Sequence, residues 1–415
     1  MKSYQIPGQK NAPYHLRMMP LRSTLLATII ILLAFSSTGQ EADTSYRFNT
    51  IHKVDATSVK DQHRSGTCWA FAAASFLESE ILRKGLPAVD LSEMFFVRDA
   101  YMAKASNYVQ MHGAVAFSPG GQAHDVMHTV RKHGMITEEA YNGLQYGLEK
   151  HNHSELHSLL ESQVKVIAKS KSGKINPSWI KVVEATVDEY LGEVPESVSF
   201  AGDAITAAAF VNKTGINPDD YIELTSYTHH PFYTPFRLEV PDNWTYNDYY
   251  NVPVDDLMQI MDNAFANGYS VCWDGDVSEK GFSHNNGVAI VPAKKVSDAS
   301  GTEKSRWSDL TEKEKKKMLY SFEKPVAEKK ITQEDRQEAF SLHRTTDDHL
   351  MHLTGVAQDQ NGTRYYITKN SWNDDSNEAG GYLNMSEAYV RLHTIAIMVH
   401  KDAIPKNIRK KIDLD

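Results

Sequence analysis

The sequence predicts an α+β fold, and three observations lead to this class. A helical spacing of apolar residues begins at Cys68 and ends near Gly85. Two further amphipathic helical patterns cover residues 154–169 and 177–192. Residues 347–356 instead have the pattern of a buried strand. Helical segments therefore precede a β-rich segment along the chain.

Composition narrows the class of protein. The chain has 415 residues with 41% hydrophobic content, so we expect a sizeable core. Its net charge of −9 gives no general electrostatic reason to bind nucleic acid, and no nucleic-acid partner is expected. Two cysteines do not make a disulfide framework, so Cys272 is predicted to be a free, packed thiol.

The N-terminus has the pattern of an export signal. Lys10, Arg17 and Arg22 precede an apolar run at residues 25–35, and small and polar residues follow it. This run is shorter than the roughly 20 residues of a membrane span, so no stable span is expected. We predict a signal peptide at residues 1–39 and an exported, periplasmic or secreted, protein. The alternatives are an uncleaved anchor, or a core strand followed by a loop.

Cys68 stands where a polar, glycine-bearing turn meets a helix. A thiol at a helix N-terminus meets the positive end of the macrodipole, which favours the thiolate and suits a nucleophile. Gln62, six residues earlier, can place a side-chain amide beside the sulfur. The alternative is that Cys68 is simply a small, buried apolar residue.

A base and its orienting group are predicted on a hairpin. His349 opens the strand pattern, and Asn370 follows the next strand in the run Thr-Lys-Asn-Ser-Trp. Asn361-Gly362 is a preferred hairpin turn, so His349 and Asn370 should lie side by side. A cysteine nucleophile needs an imidazole, whose ring the Asn370 oxygen can hold; Trp372 could shield that bond from water.

These motifs together resemble papain-like cysteine peptidases, and Ser-Gly-x-Cys-Trp is similar to their bleomycin hydrolase and aminopeptidase C branch. The separation of 281 residues between Cys68 and His349 also matches that long branch. In the family the catalytic histidine stands six residues before a glycine. His349 has this spacing to Gly355, whereas His352 does not and is expected to be a packed residue.

The resemblance implies a helical subdomain facing a β-barrel-like subdomain, within a peptidase domain at residues 40–415. About 145–250 and 300–340 would be insertions, the first of them helical. Gly120 and Gly121 would lie along the substrate cleft, although a plain surface turn is the alternative. The expected activity is that of a Cys–His–Asn aminopeptidase on peptide substrates, without metal or cofactor. The family's hexamer is the implied oligomer.

No metal site is predicted at the adjacent histidines His229 and His230, because no cysteine or carboxylate stands at ligand spacing from them.

Two features of the sequence depart from the family pattern. Asn373 stands where the family usually has glycine. In the branch, an apolar C-terminal arm anchors the substrate's amino group, and the ending IPKNIRKKIDLD differs from it. An endopeptidase or dipeptidase with the same triad, or an inactive binding or scaffold relative, are therefore the alternatives.

Overall fold

A computed structural model describes residues 45–170, 174–293 and 311–414 of the chain. The predicted signal peptide lies outside these described residues. Helices in the described part are α1 (Cys68–Arg83), α2 (Glu93–Gln110), α3 (Ala123–His133), α4 (Ser154–Ala168), α5 (Trp179–Leu191), α6 (Ala207–Thr214), α7 (Val254–Ala266), α8 (Glu312–Leu319), α9 (Gln333–Ser341), α10 (Glu387–His393) and α11 (Lys406–Lys411).

The strands of the same residues run from the first described segment almost to the last. They are β1 (Phe48–Lys53), β2 (Val198–Phe200), β3 (Asp203–Ile205), β4 (Tyr221–Thr225), β5 (Pro235–Arg237), β6 (Asp248–Asn251), β7 (Val271–Gly275), β8 (Phe282–Ser283), β9 (Val288–Ala289), β10 (His349–Asp359), β11 (Arg364–Lys369), β12 (Tyr382–Ser386) and β13 (Thr394–His400).

Eleven of these strands form one mixed sheet. The strand order is β5-β6-β4-β13-β7-β10-β11-β12-β9-β8. Strand β1 pairs with the C-terminal half of β10, residues 355–359. The α+β class is confirmed. The expected barrel-like closure is not found among the described residues, because β5 and β8 end the sheet as separate edges. The sheet is open, and its central strands β7, β10 and β11 are the ones that support the site.

The predicted element boundaries near Cys68 are confirmed. Helix α1 begins at Cys68 and ends at Arg83, and Gly85 follows with a φ of 78°. Ser92 caps α2, since its hydroxyl oxygen accepts a hydrogen bond from the Phe95 backbone N–H. The β10–β11 hairpin also forms, with Gln358 opposite Arg364.

The central sheet separates two apolar clusters. Leu350 and Cys272 belong to the cluster around α1 to α6, whereas Met351 and Trp273 belong to the cluster around α7. This division follows from the alternation of side chains along a strand. Cys272 is buried and free, as predicted. One continuous sheet thus contributes to both cores.

The segment between β5 and β6, residues 238–247, lies against the helical half of the molecule; we call it the cleft loop. The indole N–H of Trp244 donates to the Asp125 carboxylate at 2.9 Å, and Asn107 donates to the Trp244 carbonyl oxygen at 3.3 Å. Asn243 fastens the loop internally through bonds to Leu238 and Asn247 carbonyl oxygens. The loop is therefore held in place by both its own bonds and those to α2 and α3.

The last described residues belong to the α7 side of the sheet. Ile404, Ile408 and Ile412 are buried in the α7 cluster, and Leu414 packs on it. Within the described residues, no helix has the length and apolarity needed to cross a membrane.

Candidate active site

Cys68 lies where the first turn of α1 meets the beginning of β10. Its thiol is half-buried and free, and the backbone N–H of Leu350 lies close enough to the sulfur to act on the ionisation of the thiol. Leu350 directly follows His349 in the chain. The sulfur is therefore beside the strand end that carries the predicted histidine.

His349 and Asn370 are brought together by the hairpin. His349 Nε2 lies 2.8 Å from Asn370 Oδ1, and both side chains are buried. The amide oxygen accepts, so His349 Nε2 carries the proton of this bond. The Trp372 ring packs on the imidazole with centroids 4.9 Å apart, which places an apolar group over the pair.

His284 also belongs to this arrangement, although no motif in the sequence predicted it. It lies between β8 and β9, and its Nδ1 is 3.2 Å from Asn370 Nδ2. Since an amide nitrogen donates, His284 Nδ1 accepts, and its Nε2 then donates to Ser376 Oγ at 2.7 Å. Burial lowers the pKa of His284, which agrees with this neutral form. His284 thereby fixes which way the Asn370 amide faces.

Gln62 is tied to the residue after Asn370. Ser371 Oγ donates to Gln62 Oε1 at 2.6 Å, and the Gln62 backbone N–H donates to the Ser371 carbonyl oxygen at 2.9 Å. The bond from the Ser371 hydroxyl engages the oxygen of the Gln62 side-chain amide. The amide nitrogen, Nε2, can therefore donate to another group, such as a substrate.

His352 stands outside this group, as expected from its position on β10. Its Nδ1 lies 2.9 Å from Ser75 Oγ, and Lys369 Nζ donates to the same hydroxyl oxygen at 2.7 Å. These bonds connect α1 with β10 and β11. His352 is therefore a packed residue that holds these three elements together.

Burial opposes the predicted ionisation of Cys68. Burial raises the pKa of the Cys68 thiol to about 12, and the carboxyl groups of Asp242, Asp274 and Asp347 act in the same direction. Burial also lowers the pKa of His349 to about 4, against the favourable bond to the Asn370 oxygen. These shifts favour a neutral thiol and a neutral imidazole in the resting pair, whereas the helix terminus favours the thiolate.

Gly120 and Gly121 lie in a packed turn, so the alternative of a plain surface turn is wrong. Lys104 donates from its Nζ to the carbonyl oxygens of Ser118 and Gly120. A side chain at Gly120 would collide with the Asp242 carboxylate, and one at Gly121 would come within 3.0 Å of the Trp69 ring. The two glycines permit α1 and the cleft loop to approach this turn.

Three buried or half-buried carboxyl groups lie near Cys68, and we call Asp242, Asp274 and Asp347 the carboxyl cluster. Burial raises the pKa of Asp347 to about 7, with Asp242 adding to the effect. Burial and Asp347 raise the pKa of Asp274 well above its usual range. Gln122 Nε2 donates to Asp347 Oδ2 at 2.9 Å. This cluster could not be predicted from sequence motifs, because its members come from three separate segments of the chain.

His229 and His230 require a correction. They were expected to lack a carboxylate at ligand spacing, but their Nε2 atoms lie 3.1 Å and 2.8 Å from the two oxygens of Glu239. A turn at residues 229–230 places both rings beside Glu239. The three groups could hold a metal ion, since their ligand atoms lie within 4.8 Å of one another. Hydrogen bonds to Glu239 already account for the arrangement.

Comparisons with known proteins identify the class. The model of the papain family cysteine protease matches residues 44–230, and the model of the peptidase C1-like family matches residues 300–415. The chain is a cysteine-type peptidase with a papain-like fold. It is similar to the bleomycin hydrolase and aminopeptidase C branch of the papain-like peptidases.

Three relatives illustrate this likeness. Mitochondrial cysteine proteinase 1 of Saccharomyces cerevisiae is 21% identical, covering 88% of this chain and 79% of the relative. Aminopeptidase G of Lactobacillus delbrueckii subsp. lactis is 22% identical, with coverages of 86% and 83%. The crystal structure of PepW from Lactobacillus rhamnosis HN001 superposes with a TM-score of 0.64 at 18% identity, covering 88% of this chain and 84% of that one.

Proposed function

We propose that this peptidase hydrolyses peptide bonds through Cys68, His349 and Asn370 and removes residues from free amino termini. The observation that carries the proposal is the 2.8 Å bond between His349 and Asn370 at the strand end that also contacts the Cys68 sulfur. A nucleophile, a base and a group that orients the base are the minimum set for thiol-dependent acyl transfer.

The proposed reaction begins from the neutral pair. The Cys68 thiol transfers its proton to His349 as the sulfur attacks the peptide carbonyl carbon. The imidazolium returns that proton to the departing amine, which leaves a thioester on Cys68. His349 then takes a proton from water, the resulting hydroxide displaces the sulfur, and the thiol is regenerated with release of the carboxylic acid. Asn370 holds the imidazole in one orientation throughout.

Gln62 is the proposed donor to the developing oxyanion. Ser371 occupies the oxygen end of its amide, so Gln62 Nε2 faces outward as a donor, together with the Cys68 backbone N–H. Loss of one such donor typically costs about 10²- to 10³-fold in rate. Gln62→Ala should therefore lower kcat by roughly that factor.

Aminopeptidase activity is favoured by the names of two relatives, aminopeptidase G and aminopeptidase E. The test uses aminomethylcoumarin substrates with free or acetylated amino groups under reducing conditions. We expect cleavage of the free substrates by wild type and by the control Cys272→Ala, and none by Cys68→Ala. Equal cleavage of both substrates would support an endopeptidase instead. Turnover that survives in Cys68→Ala, or no turnover at all, would contradict the proposed peptidase.

Export is proposed from the N-terminal sequence alone, through a signal peptide at residues 1–39. Mass spectrometry of the protein recovered from its source should find a chain beginning near residue 40. A chain that retains residues 1–39 would contradict cleavage.

Hexamer formation is proposed only from the family resemblance. Light scattering after size-exclusion chromatography should give about six times the 46.7 kDa chain mass, less any cleaved segment. A monomer mass would contradict this proposal without affecting the chemistry at Cys68.

A further inference from the structure

We propose that the carboxyl cluster binds the α-ammonium group of a peptide substrate and so restricts cleavage to free amino termini. This inference rests on the proposed peptidase activity of Cys68. It assigns the anchoring role to side chains of the cleft itself, at Asp242, Asp274 and Asp347.

The position of the cluster fits an ammonium close to the bond that is cut. Asp347 lies two residues before His349. Asp274 lies opposite Leu350 in the antiparallel β7–β10 pair, and the Leu350 backbone N–H is close enough to Cys68 to act on the ionisation of its thiol. All three carboxyl groups are close enough to Cys68 to act on the ionisation of its thiol. A substrate carbonyl at the sulfur would thus bring a nearby amino terminus to these groups.

The cluster contains an acid without a partner. Asp274 is only 3% exposed, and neither of its carboxyl oxygens has a hydrogen-bond partner among the described residues. Its neighbours are Asp347, which is another acid, and Gln122, whose amide is near both acids and donates to Asp347 Oδ2 at 2.9 Å. Buried polar groups are normally satisfied, so a buried carboxyl beside another acid indicates that a cationic ligand completes it.

The nearby cation does not neutralise the cluster. Burial raises the pKa of Asp242 and Lys104 opposes that shift, but Lys104 Nζ donates to the carbonyl oxygens of Ser118 and Gly120. Asp125 adds a further carboxyl group near Asp242; its Oδ1 has no hydrogen-bond partner among the described residues and lies 3.8 Å from His124 Nε2. Acidic groups therefore outnumber the buried ammonium, and this surplus favours a cationic ligand.

The cleft loop explains how a longer peptide would be refused. Its Asp242 carboxylate lies directly against Gly120, where even a methyl group would collide with it. Ser118 Oγ donates to Asp242 Oδ1 at 3.3 Å, so the carboxylate is attached to the same turn. A chain extended along Gly120 would meet this carboxylate, whereas a terminal ammonium would pair with it.

The spacing distinguishes an ammonium from a metal ion. Within the described residues, the set of three ligating groups that comes within 4.8 Å is His229, His230 and Glu239, not the carboxyl cluster. A divalent ion needs its oxygen ligands packed closely around it at about 2.0–2.6 Å. An ammonium instead directs three hydrogen bonds outward and can connect acceptors that are farther apart.

The experiment measures binding and turnover separately. Binding of trialanine and N-acetyl-trialanine is measured by calorimetry at pH 8 in the Cys68→Ala protein, alone and combined with Asp242→Asn or Asp347→Asn. Turnover of free and acetylated aminomethylcoumarin substrates is measured in the proteins that retain Cys68. Asp248→Asn, an exposed carboxylate on β6, is the matched control.

We expect trialanine to bind about 10-fold or more tightly than its acetylated form, and each cluster variant to remove most of that preference. The same variants should raise KM for free substrates about 10-fold, while Asp248→Asn does not. Equal affinity for both peptides in folded protein, checked by its melting curve, would overturn the anchor. Tighter binding of trialanine than of N-acetyl-trialanine, without any turnover by wild type, would support the ammonium site and overturn the proposed peptidase.

Discussion

Ser371 and Gln62 are joined by a 2.6 Å hydrogen bond between the Ser371 hydroxyl and Gln62 Oε1. The bond crosses from the loop after β11 to the turn before α1, which are the two segments that supply Asn370 and Cys68. It thereby ties the proposed oxyanion donor to the proposed orienting residue.

Ser371→Ala should lower kcat because the Gln62 amide loses the bond that sets its orientation. We expect a fall of about 10-fold, less than for Gln62→Ala, since the donor itself remains. Steady-state kinetics on a free aminoacyl substrate provides the measurement, with the exposed Ser199→Ala on β2 as control. An unchanged kcat in Ser371→Ala would show that the bond does not position Gln62.

His284→Ala should reduce kcat about 10-fold with little change in KM. The reason is that Asn370 Nδ2 loses its acceptor at 3.2 Å, so the amide can turn away from His349. His284→Gln offers an acceptor oxygen and should recover part of the rate. If both variants lose activity equally, His284 acts through packing and not through its bond to Asn370.

His153 should lower the free energy of unfolding as the pH decreases. It is buried, neither ring nitrogen has a partner among the described residues, and burial lowers its pKa to about 3. A depressed histidine pKa means that the unfolded chain binds the proton first, so stability is lost as pH falls from about 6.5 toward 3.

The His153→Phe protein cannot take up this proton. Relative to it, wild type should lose about 1.4 kcal/mol per pH unit between pH 6 and pH 4 in urea unfolding. His52→Phe, at an exposed position, should shift stability equally at both pH values. A constant difference between wild type and His153→Phe would show that His153 does not become protonated on unfolding.

Asn373 has a φ of 72°, in the left-handed region that glycine and asparagine tolerate. Asn373→Gly should therefore keep stability within about 0.5 kcal/mol, whereas Asn373→Val should cost about 1–2 kcal/mol. Urea midpoints check both values. Equal stability of the glycine and valine variants would contradict a backbone origin for the preference.

Local features of the fold could be predicted because short-range rules determine them. The start of α1 and the β10–β11 hairpin each depend on a few neighbouring residues. The meeting of His349 with Asn370 followed from the hairpin, because a two-strand register places residues near each other without further information.

Other parts of the site depend on how distant segments pack. His284 comes from the turn between β8 and β9, and the carboxyl cluster combines β7, the residues before β10 and the cleft loop. The effect of burial on the pKa of Cys68 was missed for the same reason: the helix terminus is a local effect, whereas burial is imposed by the whole fold. Glu239 likewise meets His229 and His230 through a turn that spacing alone did not reveal.

The sheet contributes to both apolar cores, and this determines how the protein unfolds. Leu350 and Met351 are successive residues of β10, yet they belong to the cores on opposite sides of the sheet. Neither half can therefore melt without exposing apolar surface of the other. Unfolding should be a single cooperative event, and heat inactivation should coincide with it rather than precede it.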